Sequence, residues 1–97
     1  MDSNEMSADG ELSEAELEQM KRLCDAATGG PWKAYWEGRD HRAGSHFIGT
    51  AGDDIELIGA SMADYDFIAS ARTDVPRLVE EVRRLRRLLA ACADDRA

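Results

Sequence analysis

Three stretches of the chain carry a regular hydrophobic pattern, and each predicts an element. In the first, Leu17, Met20, Cys24 and Ala27, with Leu23 beside them, recur at three- and four-residue steps, the spacing of one helix face. Ser13 stands at the N-cap position, Glu16 completes a capping box, and Leu12 is placed to staple onto Leu17. This helix should end at Thr28-Gly29-Gly30-Pro31, because glycine accepts a left-handed cap and proline cannot continue the hydrogen-bond ladder.

The middle of the chain alternates instead. Around Lys33 to Glu37, the residues Trp32, Ala34 and Trp36 fall on one side and Lys33, Tyr35 and Glu37 on the other. Two further β-prone runs, Ser45 to Gly49 and Ile55 to Ile58, are separated by the turn-forming residues 50–54. Together they predict a three-stranded antiparallel meander, which needs a helix on one face to be stable.

Ser61 and Asp64 repeat the capping-box spacing and open a short helix, with Ala63, Phe67 and Ala71 as its inward stripe and Ile68 alongside. The run Arg72-Thr73-Asp74-Val75-Pro76 should break it and start another, with Thr73 or Asp74 as cap and Pro76 in the first turn. The fold class is therefore α+β: an N-terminal helix, the meander, a short helix and a long C-terminal amphipathic helix over about 74–93. Residues 1–12 read as an acidic disordered tail, 13–93 as one domain and 94–97 as a frayed end.

The last helix carries a heptad seam: Val75, Leu78, Val82, Leu85, Leu89 and Cys92 are spaced alternately three and four residues apart. With β-branched residues at two a positions and leucine at d, the pattern favours a parallel two-stranded pairing in which Glu81 of one chain meets Arg86 of another. Val79 and Leu88 widen the stripe, which equally suits packing on the domain's own sheet. Both are expected, with the first turns packing inward and the distal turns meeting another subunit. Fewer than three heptads do not hold a dimer alone.

Charge sharpens this picture. Of the 97 residues, 43% are apolar and 33% charged, with a formal net charge of −8. Residues 1–71 hold 15 acidic and 5 basic side chains, whereas 72–97 hold 7 basic and 5 acidic. Most of the chain should repel nucleic acid, while the C-terminal segment could attract an anion or an acidic surface. No apolar run is long enough to cross a membrane. The acidic first residues do not read as a secretory signal, and two cysteines do not make a disulfide framework, so a cytoplasmic setting is expected.

Candidate chemistry is sparse. His41 and His46 lack a third ligand for a metal, Ser45 and His46 are neighbours pointing to opposite faces, and Thr28 to Pro31 follows a helix rather than opening one. The turn Asp53-Asp54 with Glu56 lacks the ligand ladder of a calcium loop. Cys24 reads as core. No enzyme, cofactor or metal is expected. Trp32, Tyr35 and Trp36 could stack on a planar ligand, or the tryptophans could simply be core. Arg72 could fork onto a phosphate or carboxylate, or bridge Asp64, Asp66 or Asp74 at the helix junction. Arg83, Arg84, Arg86 and Arg87 form a basic cluster that ordinarily is a solvated helix face.

Two stretches, Ala26-Ala27-Thr28-Gly29-Gly30-Pro31-Trp32 and the run from Ala63 to Leu78, resemble a set of small phage and prophage proteins loosely grouped with Ead-like phage early proteins. Their pattern is an alanine-rich helix, T-P-G-P-W, variable strands, then A-D-x-x-F-I-A-x-A-R-x-D-V-P-x-L. The likeness spans roughly residues 15–89 and departs from the pattern at Gly29, where proline is usual. It implies a phage-related setting and no particular activity.

The resulting expectation is a non-enzymatic homo-oligomeric binding protein of phage or prophage origin. In one version it acts in counter-defence, sequestering a small anionic, nucleotide-like ligand at Trp32, Tyr35, Trp36, Arg72 and Asp74. The alternative is an acidic protein-directed inhibitor or DNA mimic acting on a host protein through residues 1–66. A DNA-bound regulator using the arginine-rich helix ranks last, since two copies double the negative charge.

Overall fold

The computed structural model describes residues 10–42 and 44–96. Its elements are a helix α1 (Glu14–Ala26), a strand β1 (Lys33–Tyr35), a strand β2 (Phe47–Gly49) and a helix α2 (Met62–Arg96). The tail expected over 1–12 lies, for 1–9, outside the described residues, as does residue 97 of the expected frayed end.

The start of α1 follows its capping residues. Ser13 Oγ accepts a hydrogen bond from the Glu16 N–H at 3.0 Å, and Glu16 Oε1 accepts one from the Ser13 N–H at 2.7 Å. Two of the helix's orphan donors are thereby satisfied. The helix then runs antiparallel along α2. Glu14 lies against Arg83 and Arg86, Cys24 beside Pro76, and Thr28 against Arg72. Leu17 is fully buried in this contact, which contributes about 2–3 kcal/mol.

The sheet has two strands, not three. β1 and β2 pair antiparallel with Ala34 opposite Ile48 and Tyr35 opposite Phe47, whose rings stack at 4.8 Å. Residues around Ile55 were expected to add a third strand, yet only a single bridge forms, in which Ile48 and Ile55 exchange both backbone hydrogen bonds. The reason is a side chain. The Tyr65 hydroxyl accepts from the Leu57 N–H at 3.0 Å and donates towards the carbonyls of Leu57 and His46 at 3.3 and 3.4 Å. One phenol therefore serves the backbone groups that a longer ladder would have paired. The chain then turns away at Ile58 and Gly59, where a φ of +83° suits glycine.

The second correction concerns α2. A break was expected at 72–76, but one helix of 35 residues runs through Pro76. Proline inside a helix forfeits one hydrogen bond and costs about 3 kcal/mol. Burial on both sides of it offsets that cost: Tyr65 and Ala69 pack into the sheet with Ala34 and Ile48, and Val79 packs under α1. The inward stripe also differs. Phe67, expected inside, is 74% exposed, while Tyr65 and Ala69 are buried. The inward positions are Tyr65, Ala69, Arg72, Pro76, Val79, Arg83 and Arg86, an unbroken four-three spacing that begins in the sheet and ends on α1.

Tyr65→Phe should therefore destabilise the fold by about 1–3 kcal/mol, the cost of stranding partly buried backbone groups. Urea unfolding followed by circular dichroism measures it, and an unchanged midpoint would contradict the role given to the hydroxyl.

Candidate functional site

Five residues were candidates for ligand binding, and the fold does not gather them into one site: Trp32 and Arg72 meet at one carbonyl, Trp32 and Asp74 share a cleft, and Tyr35 and Trp36 stack elsewhere. Trp32 Nε1 donates to the carbonyls of Thr28 and Gly29 at 3.0 and 3.2 Å, and Arg72 Nε donates to the same Thr28 carbonyl at 2.9 Å. These two side chains thus clasp the end of α1 onto α2. Gly30 lies under the clasp, where a Cβ would come within 3.2 Å of Arg72 Cγ. Among the described residues Arg72 bridges none of Asp64, Asp66 and Asp74, the aspartates expected at the helix junction. Asp64 accepts from the Ser61 N–H at 3.0 Å as the capping acid of α2, and Asp66 is held elsewhere. Tyr35 stacks in the sheet. Trp36 lies flat on His46 with ring centres 3.5 Å apart and edge-on to Tyr65, so it is part of the core's rim.

Trp32 and Asp74 do share a cleft of about 450 Å³ between β1 and α2, together with Lys33, Arg39, Asp40 and Asp66. Arg39, from the loop after β1, forks onto Asp66 at 2.9 and 3.1 Å and reaches Asp40 at 2.7 Å. Asp40 in turn accepts from the Trp36 N–H at 2.8 Å. The Arg39 hydrogen bond holds both carboxyls below the usual carboxylate range, and the Trp36 N–H adds to this at Asp40. The guanidinium itself is pushed upward, first by Asp66 and then by Asp40. Sequence reasoning missed this constellation because Arg39 and Asp66 are 27 residues apart in different elements. With three carboxylates against two cations, one of them already doubly paired, the cleft does not favour an anion.

The histidines make no centre. His46 Nδ1 accepts from the Glu37 N–H at 3.0 Å, and among the described residues no group of three or more His, Cys, Asp or Glu is placed to hold a metal ion. Nor, among them, is any helix long and apolar enough to cross a membrane.

Most of the exposed large apolar residues lie on α2, and several of them share one helical face. Ala71, Val75, Leu78, Val82 and Leu85 each sit one residue before an inward-facing position of α2, and one residue is about 100° of rotation. The heptad seam is therefore a second face, turned roughly at right angles to the one that α1 covers. It is open: Leu78 is 61%, Leu85 46% and Leu89 70% exposed, with Leu88 beside them at 53%. On α1, Leu23 is 62% exposed. Met20 joins Leu12, Leu17, Val75, Leu78, Val79 and Val82 around an apolar groove of about 500 Å³ between the helices.

The charges flanking the seam already have partners within the chain. Arg86 reaches the Leu12 carbonyl and lies 3.7 Å from Glu14, Arg83 meets Glu18 at 3.1 Å and Glu14 at 3.6 Å, and Glu81 is forked by Arg84. The basic cluster thus neutralises the acids of α1 and of its own helix, leaving only Arg87 of the four without an ion pair among the described residues. Glu81 and Arg86, expected to meet across two chains, are each engaged at home.

The Arg39–Asp66 pair is half-exposed, so its effect is modest. Because the Asp66 carboxyl is held low in the fold, its contribution is complete above the ordinary carboxylate value of about 3.9 and is lost as pH falls through the lower folded value. Asp66→Asn should therefore lower the melting temperature by a constant amount from neutral pH down to about 5, and the gap should close below about 4. A gap that widens in acid would contradict this.

No family model matches the chain, and no curated protein or solved structure matches it either.

Proposed function

We propose that this chain is a non-enzymatic binding protein that works as a homo-oligomer in the cytoplasm and occupies a protein surface rather than transforming a substrate. One observation carries the reading: the apolar seam of α2, from Val75 to Leu89, is left open by the chain's own fold. Contiguous exposed apolar surface of this extent marks an interaction site in a water-soluble domain.

Between the two versions of the target, the charges favour the protein-directed one. A small anion entering the cleft would face Asp40, Asp66 and Asp74. A basic protein surface, in contrast, would meet a chain of net charge −8 in which Arg22, Arg39, Arg83, Arg84 and Arg86 are already paired with its own carboxylates. The likeness to phage and prophage proteins fits a host protein as that partner.

Leu85→Lys tests the reading at its root, since a charge in the middle of the seam cannot be buried against a second copy without a large penalty. Light scattering should show the wild type above the mass of one chain and the variant at it, with the helical circular dichroism retained. A wild type already at the mass of one chain contradicts the proposal. Capture of the target should fall steeply between low and high salt, whereas a melting temperature raised by free nucleotides would favour the small-anion version instead.

A further inference from the structure

We infer that the occupant of the open face is a second copy of this chain, docked antiparallel about a two-fold axis at the level of Met20 and Glu80, to give a four-helix bundle. The inference rests on the homo-oligomeric reading above and specifies its geometry.

The face belongs to two helices rather than one. On α1, Met20 lines the groove shared with Val75, Leu78 and Val82, and Leu23, three residues on, falls on the same side of the helix by the usual helical spacing. On α2, the covered and open faces are about 100° apart. A helix in a two-stranded coil needs one apolar face, whereas a helix at the corner of a four-helix bundle needs two, towards two neighbours nearly at right angles. α1 supplies the first neighbour, and the open seam calls for the second.

The same geometry excludes the parallel two-stranded coil that the heptad alone suggests. There the e positions, Val79 and Arg86, flank the partner helix. Here Val79 is buried under α1, and Arg86 is fastened to the Leu12 carbonyl and to Glu14. A partner must approach from the other side of the seam and across α1.

Length then selects the antiparallel arrangement. The ion pairs Glu14–Arg86 and Glu18–Arg83 and the clasp of Arg72 on Thr28 set the levels along the pair and place Met20 opposite Glu80. Both helices, Glu14–Ala26 and Met62–Arg96, are centred close to that level. A two-fold axis there lays each α2 over its twin from end to end, with Leu78 against Val82, Val75 against Leu85 and Ala71 against Leu89 of the other copy. It also lays α1 over its twin, which covers Leu23. A parallel arrangement of two such layers would instead set each α2 over the twin's α1, whose 13 residues are too short to cover the turns beyond Arg86. The antiparallel footprint is about 36 Å of α2 and 20 Å of α1, each some 10 Å wide, on the order of 600 Å² per chain before the ridging of helix surfaces is counted. Stable interfaces bury about 800 Å² per partner.

Spin labels read the arrangement directly. With Cys24→Ser, the label sits on Cys92 alone, which is exposed and close to the helix end. Its distance to the twin label should be roughly 36 Å, from 24 residues of helical rise. With both native cysteines replaced by serine and Leu78→Cys introduced, the twin labels should approach to under about 20 Å, since Leu78 lies two residues from the axis. A far Cys92 pair with a near Leu78 pair, at the mass of two chains, supports the bundle. Two near pairs would mean a parallel assembly, overturning this geometry while sparing the homo-oligomeric reading. No dipolar coupling and the mass of one chain would overturn both.

Discussion

The structure depends on a single helix being asked to serve two apolar faces. α2 is 35 residues long, about 52 Å at the usual helical rise, whereas α1 has 13 residues and each strand has three. The smaller elements can line only one side of it. They line the side defined by Tyr65, Ala69, Pro76 and Val79, and this continuous contact keeps the helix intact through a proline that would otherwise end it. The seam one residue earlier is covered only in part: Val82 is half-buried beside α1, whereas Leu78, Leu85 and Leu89 stay exposed.

Charge follows the same division. The acids of α1 and the arginines of α2 look, in sequence, like opposite ends of an asymmetric chain. In space they are one interface: Arg83 and Arg86 occupy inward positions where apolar residues would be expected and are matched there by Glu14 and Glu18. These pairs are partly exposed and contribute little each. Their structural consequence is larger than their energy, because they fix the level of α1 along α2 and consume the cations that would have drawn an anion or nucleic acid.

Local rules were legible where a side chain acts on its own neighbours. The Ser13–Glu16 capping box and the pairing of the Lys33 and Phe47 segments could be read from the order of residues. The end of α1 could not: it stops at Ala26 with Ala27 extended, before the expected residues 28–31 and without a left-handed glycine. What else could not be read depended on distant partners. Nothing local shows that Tyr65 will satisfy Leu57, so a third strand was expected where one bridge forms. Nothing local shows that Val79 will be covered from α1 while Tyr65 is covered from the sheet, so Pro76 looked like a boundary. The inward stripe was displaced for a related reason: Phe67 is the greasier residue, but Tyr65 has the polar tip that the sheet needs. At the candidate sites, the spacing of Val75 to Leu89 was plain, whereas the Arg39–Asp66–Asp40 constellation needed the loop after β1 folded against α2.

The central claim is that the seam of α2 is shielded by another molecule, so that folding and assembly are linked. The concentration dependence of the thermal midpoint tests this most directly, because a partner that binds only the folded chain raises the midpoint as protein concentration rises. Over a ~100-fold dilution series the account predicts a midpoint that falls steadily with dilution. A midpoint that stays constant across that range, for a chain that unfolds reversibly, would contradict it.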